Sequence, residues 1–196
     1  ILCGGKGTRA KKYSNNTPKI LIKLKDKPFL YWILKSLEKK GVTKVFLCVG
    51  FLSNQIEDYI KQIRSKFKLK IYLSYENKKL GTGGAVKNAL QNKKKDFFVM
   101  YGDTFLFFDL YKILKYSFKN ENKTIITIYK NKDIKYFNNI YYNQDILEMN
   151  NSQFKSRNNY IAYGLIYFDK NYFNINKNIF DIDTILKNIL KEKKII

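Results

Sequence analysis

Short apolar runs alternate with longer stretches of helical periodicity through the first half of the chain. Ile20 to Leu24 is an apolar run that suits a strand, and Pro28 then opens a stretch in which Phe29, Ile33, Leu34 and Leu37 recur at helical spacing, closed by Gly41. Lys44 to Val49 (KVFLCV) reads as a buried strand. Asn54 with Glu57 makes a capping-box pattern ahead of a helix through Ile56, Ile60 and Ile63. The pattern continues with a strand over Leu69 to Tyr75, a glycine-containing turn, a helix from about Gly84 to Leu90, and a strong strand at Phe97 to Tyr101. Alternation of this kind predicts an α/β fold of the doubly wound type, a mainly parallel sheet with right-handed crossovers and helices on both faces.

From about Lys119 to Tyr160 the periodicity weakens. Ile125 to Tyr129 and Tyr160 to Phe168 read as strands, with an Asn-, Tyr- and Lys-rich stretch between them that suits a hairpin. Ile182, Ile185, Leu186, Ile189 and Leu190 follow the spacing of an amphipathic helix, on which the chain ends. No linker or internal repeat interrupts the 196 residues, a length that suits one sizeable domain over 1–196. The first residue is Ile1 and not Met, and the chain is expected to continue at both ends.

Composition narrows the chemistry. A formal charge of +22 invites a nucleic-acid reading, yet the lysines are spread along the chain among Asn, Ile and Tyr and form no block. A smaller anionic ligand suits the same charge, and no nucleic acid is expected. Histidine is absent and the two cysteines, Cys3 and Cys48, sit among apolar residues, which excludes a Ser-His-Asp nucleophile and a His/Cys zinc site. Two buried thiols in a reducing cytoplasm are the expected state. No apolar run approaches the roughly 20 residues needed to cross a bilayer, so no membrane partner is expected.

The candidate chemistry lies in the glycine turns. Gly5-Lys6-Gly7-Thr8-Arg9-Ala10 matches the dinucleotide fingerprint formally, but the stretch from Lys11 to Thr17 is polar and loop-like where a helix should open, and no acidic residue follows at the required distance. A plain tight turn needs one or two glycines; three glycines in Gly4 to Gly7, with Thr8 and Arg9, point instead to main-chain amides and a guanidinium around a phosphate. Leu80 to Ala85 (LGTGGA) lies between a strand and a helix, and Gly102-Asp103 follows the strand Phe97 to Tyr101. In an open parallel sheet all three stretches leave at the carboxyl edge of the strands, where ligands bind.

Taken in order, G-G-x-G-T-R (Gly4 to Arg9), Pro18-Lys19, Asp26-Lys27-Pro28-Phe29, L-G-T-G-G-A (Leu80 to Ala85) and Gly102-Asp103 closely resemble the sugar-1-phosphate nucleotidyltransferases. Within them, the L-G-T-G-G-A stretch and the D-K-P-F turn look most like the bacterial heptose-1-phosphate guanylyltransferases. The resemblance implies a Rossmann-like nucleotidyltransferase fold with a small β-rich insertion on the sugar side. It also implies transfer of a nucleotidyl group from an NTP, with GTP and a heptose 1-phosphate as the expected pair, to give a nucleotide-sugar and pyrophosphate with Mg²⁺; the alternatives are the same reaction with CTP, UTP or dTTP and another sugar phosphate, or a catalytically silent relative that senses nucleotides. The expected setting is the bacterial cytoplasm, supplying surface polysaccharide such as capsule or lipopolysaccharide.

Carried over residue by residue, the resemblance gives Leu2, Gly4, Gly5, Gly7 and Thr8 to the nucleotide, Arg9 to the triphosphate and the leaving pyrophosphate, and Lys19 to the α-phosphate region. Glu76, Gly81, Thr82 and Gly83 would lie against the base and ribose, Gly102, Arg157 and Gly164 would bind the sugar phosphate, and Asp103 would ligate Mg²⁺. The family's second metal-binding aspartate falls later than Ile196. Asp181 and Asp183 are candidate substitutes, although Asp181 is better read as the cap of the final helix. Ser156-Arg157 and Ala162 depart from the family's usual Glu-Lys and Asn, which bears on the sugar.

Overall fold

The computed structural model describes residues 1–5, 16–91, 95–120, 124–130, 140–143, 146–149 and 160–192. They form two compact units, one of Ile1–Asn92, Tyr101–Phe107 and Asn176–Asp181, the other of Lys93–Met100, Phe108–Ile175 and Ile182–Ile196.

In the first unit the apolar run after Pro18 is a single turn of 3₁₀ helix, Lys19–Leu21, followed by a two-residue strand β1 (Lys23–Leu24) paired antiparallel with β2 (Lys27–Pro28). This replaces the longer strand expected from Ile20 to Leu24. Pro18 supplies the cause: its fixed φ of −54° starts the turn, and the Leu21 amide bonds back to the Pro18 carbonyl at 2.8 Å. Helix α1 (Phe29–Lys39) starts directly after Pro28 and buries Leu30, Ile33, Leu34 and Leu37, the face its periodicity predicts.

Strand β3 (Lys44–Val49) runs parallel to β4 (Lys70–Tyr75), with Val49 opposite Tyr75. Leu2 extends the ladder, bridging Cys48 and Tyr101, both in parallel. Helix α2 (Ser53–Ile63) connects the two strands and buries Ile56, Ile60 and Ile63; burial of each such side chain contributes about 1.5–3 kcal/mol. Its start differs from the capping box expected of Asn54 and Glu57: the cap position is Leu52, left-handed at φ 57°, with no side-chain cap. The Glu57 carboxylate is engaged elsewhere, accepting from the Tyr75 hydroxyl at 2.7 Å and pairing with Lys61 at 2.8 Å. Helix α3 (Gly81–Leu90) begins one turn earlier than expected and packs Ala85 and Ala89 against Cys48, Leu2 and Phe46.

The second unit is built on β9 (Tyr160–Phe168). It pairs antiparallel with β5 (Phe97–Met100), with β6 (Ile125–Lys130) and with β7 (Ile140–Asn143), while β7 pairs with β8 (Ile146–Met149) in the expected hairpin. Parallel pairing therefore belongs to the first unit, and the antiparallel sheet is larger than the small insertion expected because β5 joins it through β9. Register slips where Ile126 faces Ile166 but Ile128 faces Ala162, and Gly164 takes up the slack at φ 93°. Phe97, Phe168 and Phe173 pack edge to edge or tilted within 5.9 Å. Helix α4 (Leu110–Lys119) is capped by Asp109, and α5 (Ile182–Lys191) buries Ile182, Ile185, Leu186 and Ile189. Among the described residues no helix is long and apolar enough to cross a membrane.

Candidate active site

Four chain segments of the first unit run parallel and end at one edge: Leu2 leads into Cys3 and Gly4, Val49 into Gly50, Tyr75 into Glu76, and Tyr101 into Gly102 and Asp103. The ladder is continued past the strands by the Glu76 amide on the Val49 carbonyl at 2.9 Å and the Gly102 amide on the Leu2 carbonyl at 3.0 Å. Above this edge lies a cavity of about 530 Å³. Its wall brings together candidates from four of the five motifs, Leu2, Gly4 and Gly5 from the first turn, Lys19, Gly81 and Thr82, and Gly102 and Asp103, together with Glu76; Asp26 to Phe29 contributes none.

Each glycine here has its own reason. A Cβ on Gly4 would sit 2.8 Å from Glu76 Oε1, and one on Gly102 would sit 2.8 Å from the Leu2 carbonyl oxygen. The Leu2 carbonyl is backbone and leaves no room for a side chain at Gly102, whereas at Gly4 it is the end of the Glu76 side chain that would have to turn aside. Around Gly5 nothing among the described residues lies within 4 Å, so its small size serves the open cavity and not the packing beneath it.

Helix α3 starts in a left-handed residue, Gly81 at φ 75°, whose Cβ would meet the Phe180 carbonyl oxygen at 2.5 Å. A Cβ on Gly83 would run into the Phe180 ring, and one on Gly84 into the Asn178 carbonyl oxygen. The sequence assigns Gly83 to the base and ribose; in the structure its Cβ direction is filled by Phe180. The glycines of L-G-T-G-G-A thus admit the segment Asn176–Asp181 against the helix.

Charge on the cavity wall is mixed. Lys19 Nζ pairs with Asp103 Oδ2 at 2.9 Å. Glu76 accepts from the Leu80 amide at 3.3 Å, and burial pushes its carboxyl up from the ordinary carboxylate value against that hydrogen bond. Lys79 and Asp181 also line the cavity and were not among the candidates from the motifs. Lys79 directly precedes L-G-T-G-G-A, and that adjacency is the signal in the sequence that points to it. Asp181 stands directly ahead of α5, and its Oδ1 accepts from the Thr82 amide at 2.9 Å and hydroxyl at 3.2 Å.

No group of three or more His, Cys, Asp or Glu converges among the described residues. Magnesium is commonly held by one or two carboxylates together with substrate phosphates, and Asp103, at a strand end beside the cavity, suits a site of that type. Gly7, Thr8, Arg9 and Arg157 lie outside the described residues. Gly164 belongs to the second unit, in the bulge of β9.

The nucleotidyl transferase family model matches residues 1–191. The chain belongs to that family. D-glycero-α-D-manno-heptose 1-phosphate guanylyltransferase of Campylobacter jejuni is 38% identical over 133 residues, 68% of this chain and 58% of that protein. The enzyme of the same name from Aneurinibacillus thermoaerophilus is 34% identical over 59% of this chain and 50% of its own. The chain therefore spans less than two thirds of the curated relatives it matches. The crystal structure of HddC from Yersinia pseudotuberculosis in complex with GMP-PN superposes with a TM-score of 0.77 at 28% identity, covering 92% of this chain and 80% of that one. A putative glucose-1-phosphate thymidylyltransferase from Bacillus anthracis, 17% identical, shares the fold with a TM-score of 0.83 over 100% of this chain and 83% of that one. The α/β, Rossmann-like nucleotidyltransferase architecture and the family resemblance read from the motifs both hold.

Proposed function

We propose that the protein is a sugar-1-phosphate nucleotidyltransferase that takes GTP and a heptose 1-phosphate. The observation that carries the reading is the meeting of three parallel segment ends, those after Leu2, Tyr75 and Tyr101, with Lys19 and Asp103 on one cavity. The guanine and heptose assignment is supported by the names of the Campylobacter and Aneurinibacillus relatives. The setting that follows is cytoplasmic supply of a nucleotide-sugar for bacterial surface polysaccharide.

The chemistry suits a protein without histidine. A sugar phosphate oxygen attacks the α-phosphorus, the bond from that phosphorus to the bridging oxygen of the β-phosphate breaks, and pyrophosphate leaves with the electron pair. The attacking oxygen is already anionic, so no general base is required. What remains is in-line positioning and neutralisation of charge. Amides at Gly4 and Gly5 hold the nucleotide, Lys19 neutralises the α-phosphate, and Arg9 neutralises the leaving pyrophosphate. Asp103 would hold magnesium, which would supply charge neutralisation on the triphosphate. Gly102, beside Asp103 on the cavity wall, serves the sugar phosphate.

The test is pyrophosphate release by the full-length protein with Mg²⁺, across GTP, ATP, CTP and UTP crossed with a panel of sugar 1-phosphates that includes heptose. Turnover confined to GTP with heptose 1-phosphate is the expected result. Turnover with another pair would replace the substrates, and silence across the panel would remove the activity.

A further inference from the structure

We infer that Asp181 is a positioning residue for the nucleotide, acting through Thr82; the inference rests on the nucleotide-binding reading above. The two residues are 99 positions apart in sequence, yet Thr82 donates to Asp181 Oδ1 twice, from its amide at 2.9 Å and its hydroxyl at 3.2 Å. Both line the cavity.

The rest of the segment is tied to the same helix. The Phe180 amide donates to the Leu80 carbonyl at 2.9 Å, the Gly84 amide donates to the Phe180 carbonyl at 3.0 Å, and Lys87 Nζ donates to the Lys177 carbonyl at 2.9 Å. The first amides of a helix have no partner within it, and α3 has no side-chain cap from Leu80, its own cap position. Asp181 fills that role from a distant part of the chain, placing a carboxylate where the helix dipole favours negative charge.

The consequence concerns where the triphosphate goes. A free helix start attracts phosphate. Here the Thr82 amide already serves a carboxylate, whose charge repels a second anion at that point. The phosphates are directed to the strand ends at Gly4, Gly5 and Lys19, and the Gly81–Thr82 turn is held still for the uncharged base and ribose. Asp181 touches neither phosphate nor metal; it sets the turn that does the binding.

Steady-state kinetics of the full-length protein with GTP and heptose 1-phosphate separate the roles. Asp181→Ala should raise the KM for GTP about tenfold while kcat and the sugar-phosphate KM stay within threefold of native. Asp181→Asn, which keeps the accepting oxygen, should restore the GTP KM to within threefold. In Thr82→Val/Asp181→Ala the losses should not add, because both changes act on one contact. If the alanine variant fails to fold by circular dichroism, Asp181→Ser, with a shorter acceptor, should give a smaller rise in the GTP KM alone. An unchanged GTP KM in Asp181→Ala overturns the inference while native turnover stands. Equal damage from Asn and Ala, with a raised magnesium requirement, overturns it in favour of a charge contact. Failure of the native protein to bind any nucleotide by calorimetry removes the reading beneath it.

Discussion

Lys19 Nζ sits 2.9 Å from Asp103 Oδ2, joining two motifs that are 84 positions apart. With side chains 45% and 48% exposed, the pair contributes at most about 1 kcal/mol to stability. Its reason for being there is the cavity on which both residues stand. Asp103→Asn should therefore leave the melting temperature nearly unchanged while lowering kcat at least ~100-fold, since it removes the carboxylate proposed to hold the metal. Thermal melts beside pyrophosphate-release rates check this, and near-native turnover would remove Asp103 from the mechanism.

The glycines of L-G-T-G-G-A should separate by mechanism from Gly5. A Cβ on Gly84 would lie 2.4 Å from the Asn178 carbonyl oxygen, a backbone atom that no rotamer change can move. Gly84→Ala should destabilise the protein by about 1–3 kcal/mol. Gly5→Ala meets nothing among the described residues and should keep the native melting temperature, with any loss appearing in nucleotide affinity. Urea unfolding of the two variants, read beside nucleotide titrations, checks the contrast.

Much of this was legible in the sequence where local pattern and burial agree. Helix α1 follows its apolar spacing because it buries one face, and β3 reads as a continuous apolar run because it is buried on both. Helix α4 was not read: its buried position is Ser117 while Tyr111, Tyr116 and Phe118 are exposed, so burial does not follow its large apolar residues. Helix α3 starts at Gly81 and not at Gly84 because Asp181 and Phe180 hold its first turn, and contacts between distant segments leave no local mark. The same cause hid the role of Asp181. The strand-end motifs were legible because each combines a glycine with a polar residue just after an apolar run.

Acid should weaken the first unit through Glu38. Its carboxyl is held below the ordinary value of 4.5, first by the hydrogen bond from Lys35 at 2.8 Å and then by the Lys68 amide at 2.6 Å. A folded-state pKa below the unfolded one gives stability that is present above the ordinary carboxylate range and is lost as pH falls through the lowered value. Melting temperature should drop on acidification below about pH 4.5. In Glu38→Gln that segment of the curve should flatten; an unaltered slope would mean that Glu38 contributes nothing to it.

Cys3 lies on the cavity wall, and its thiol is pushed up from 9.0 to about 12, chiefly by burial. Cys48, whose amide and carbonyl bond to Ile1 and Cys3 across the ladder, is shifted in the same direction for the same reason. Only the thiolate reacts with iodoacetamide, so at pH 8 the raised pKa leaves very little of the Cys3 thiol in its reactive form. Neither cysteine should be alkylated in the folded protein, and both should be in urea, as counted by intact mass. Rapid native labelling that nucleotide suppresses would instead put the Cys3 thiol in open contact with the cavity. The Leu2–Gly4 wall would then have to part from β3 for the thiol to ionise, and the strand end that holds the nucleotide would no longer be a rigid one.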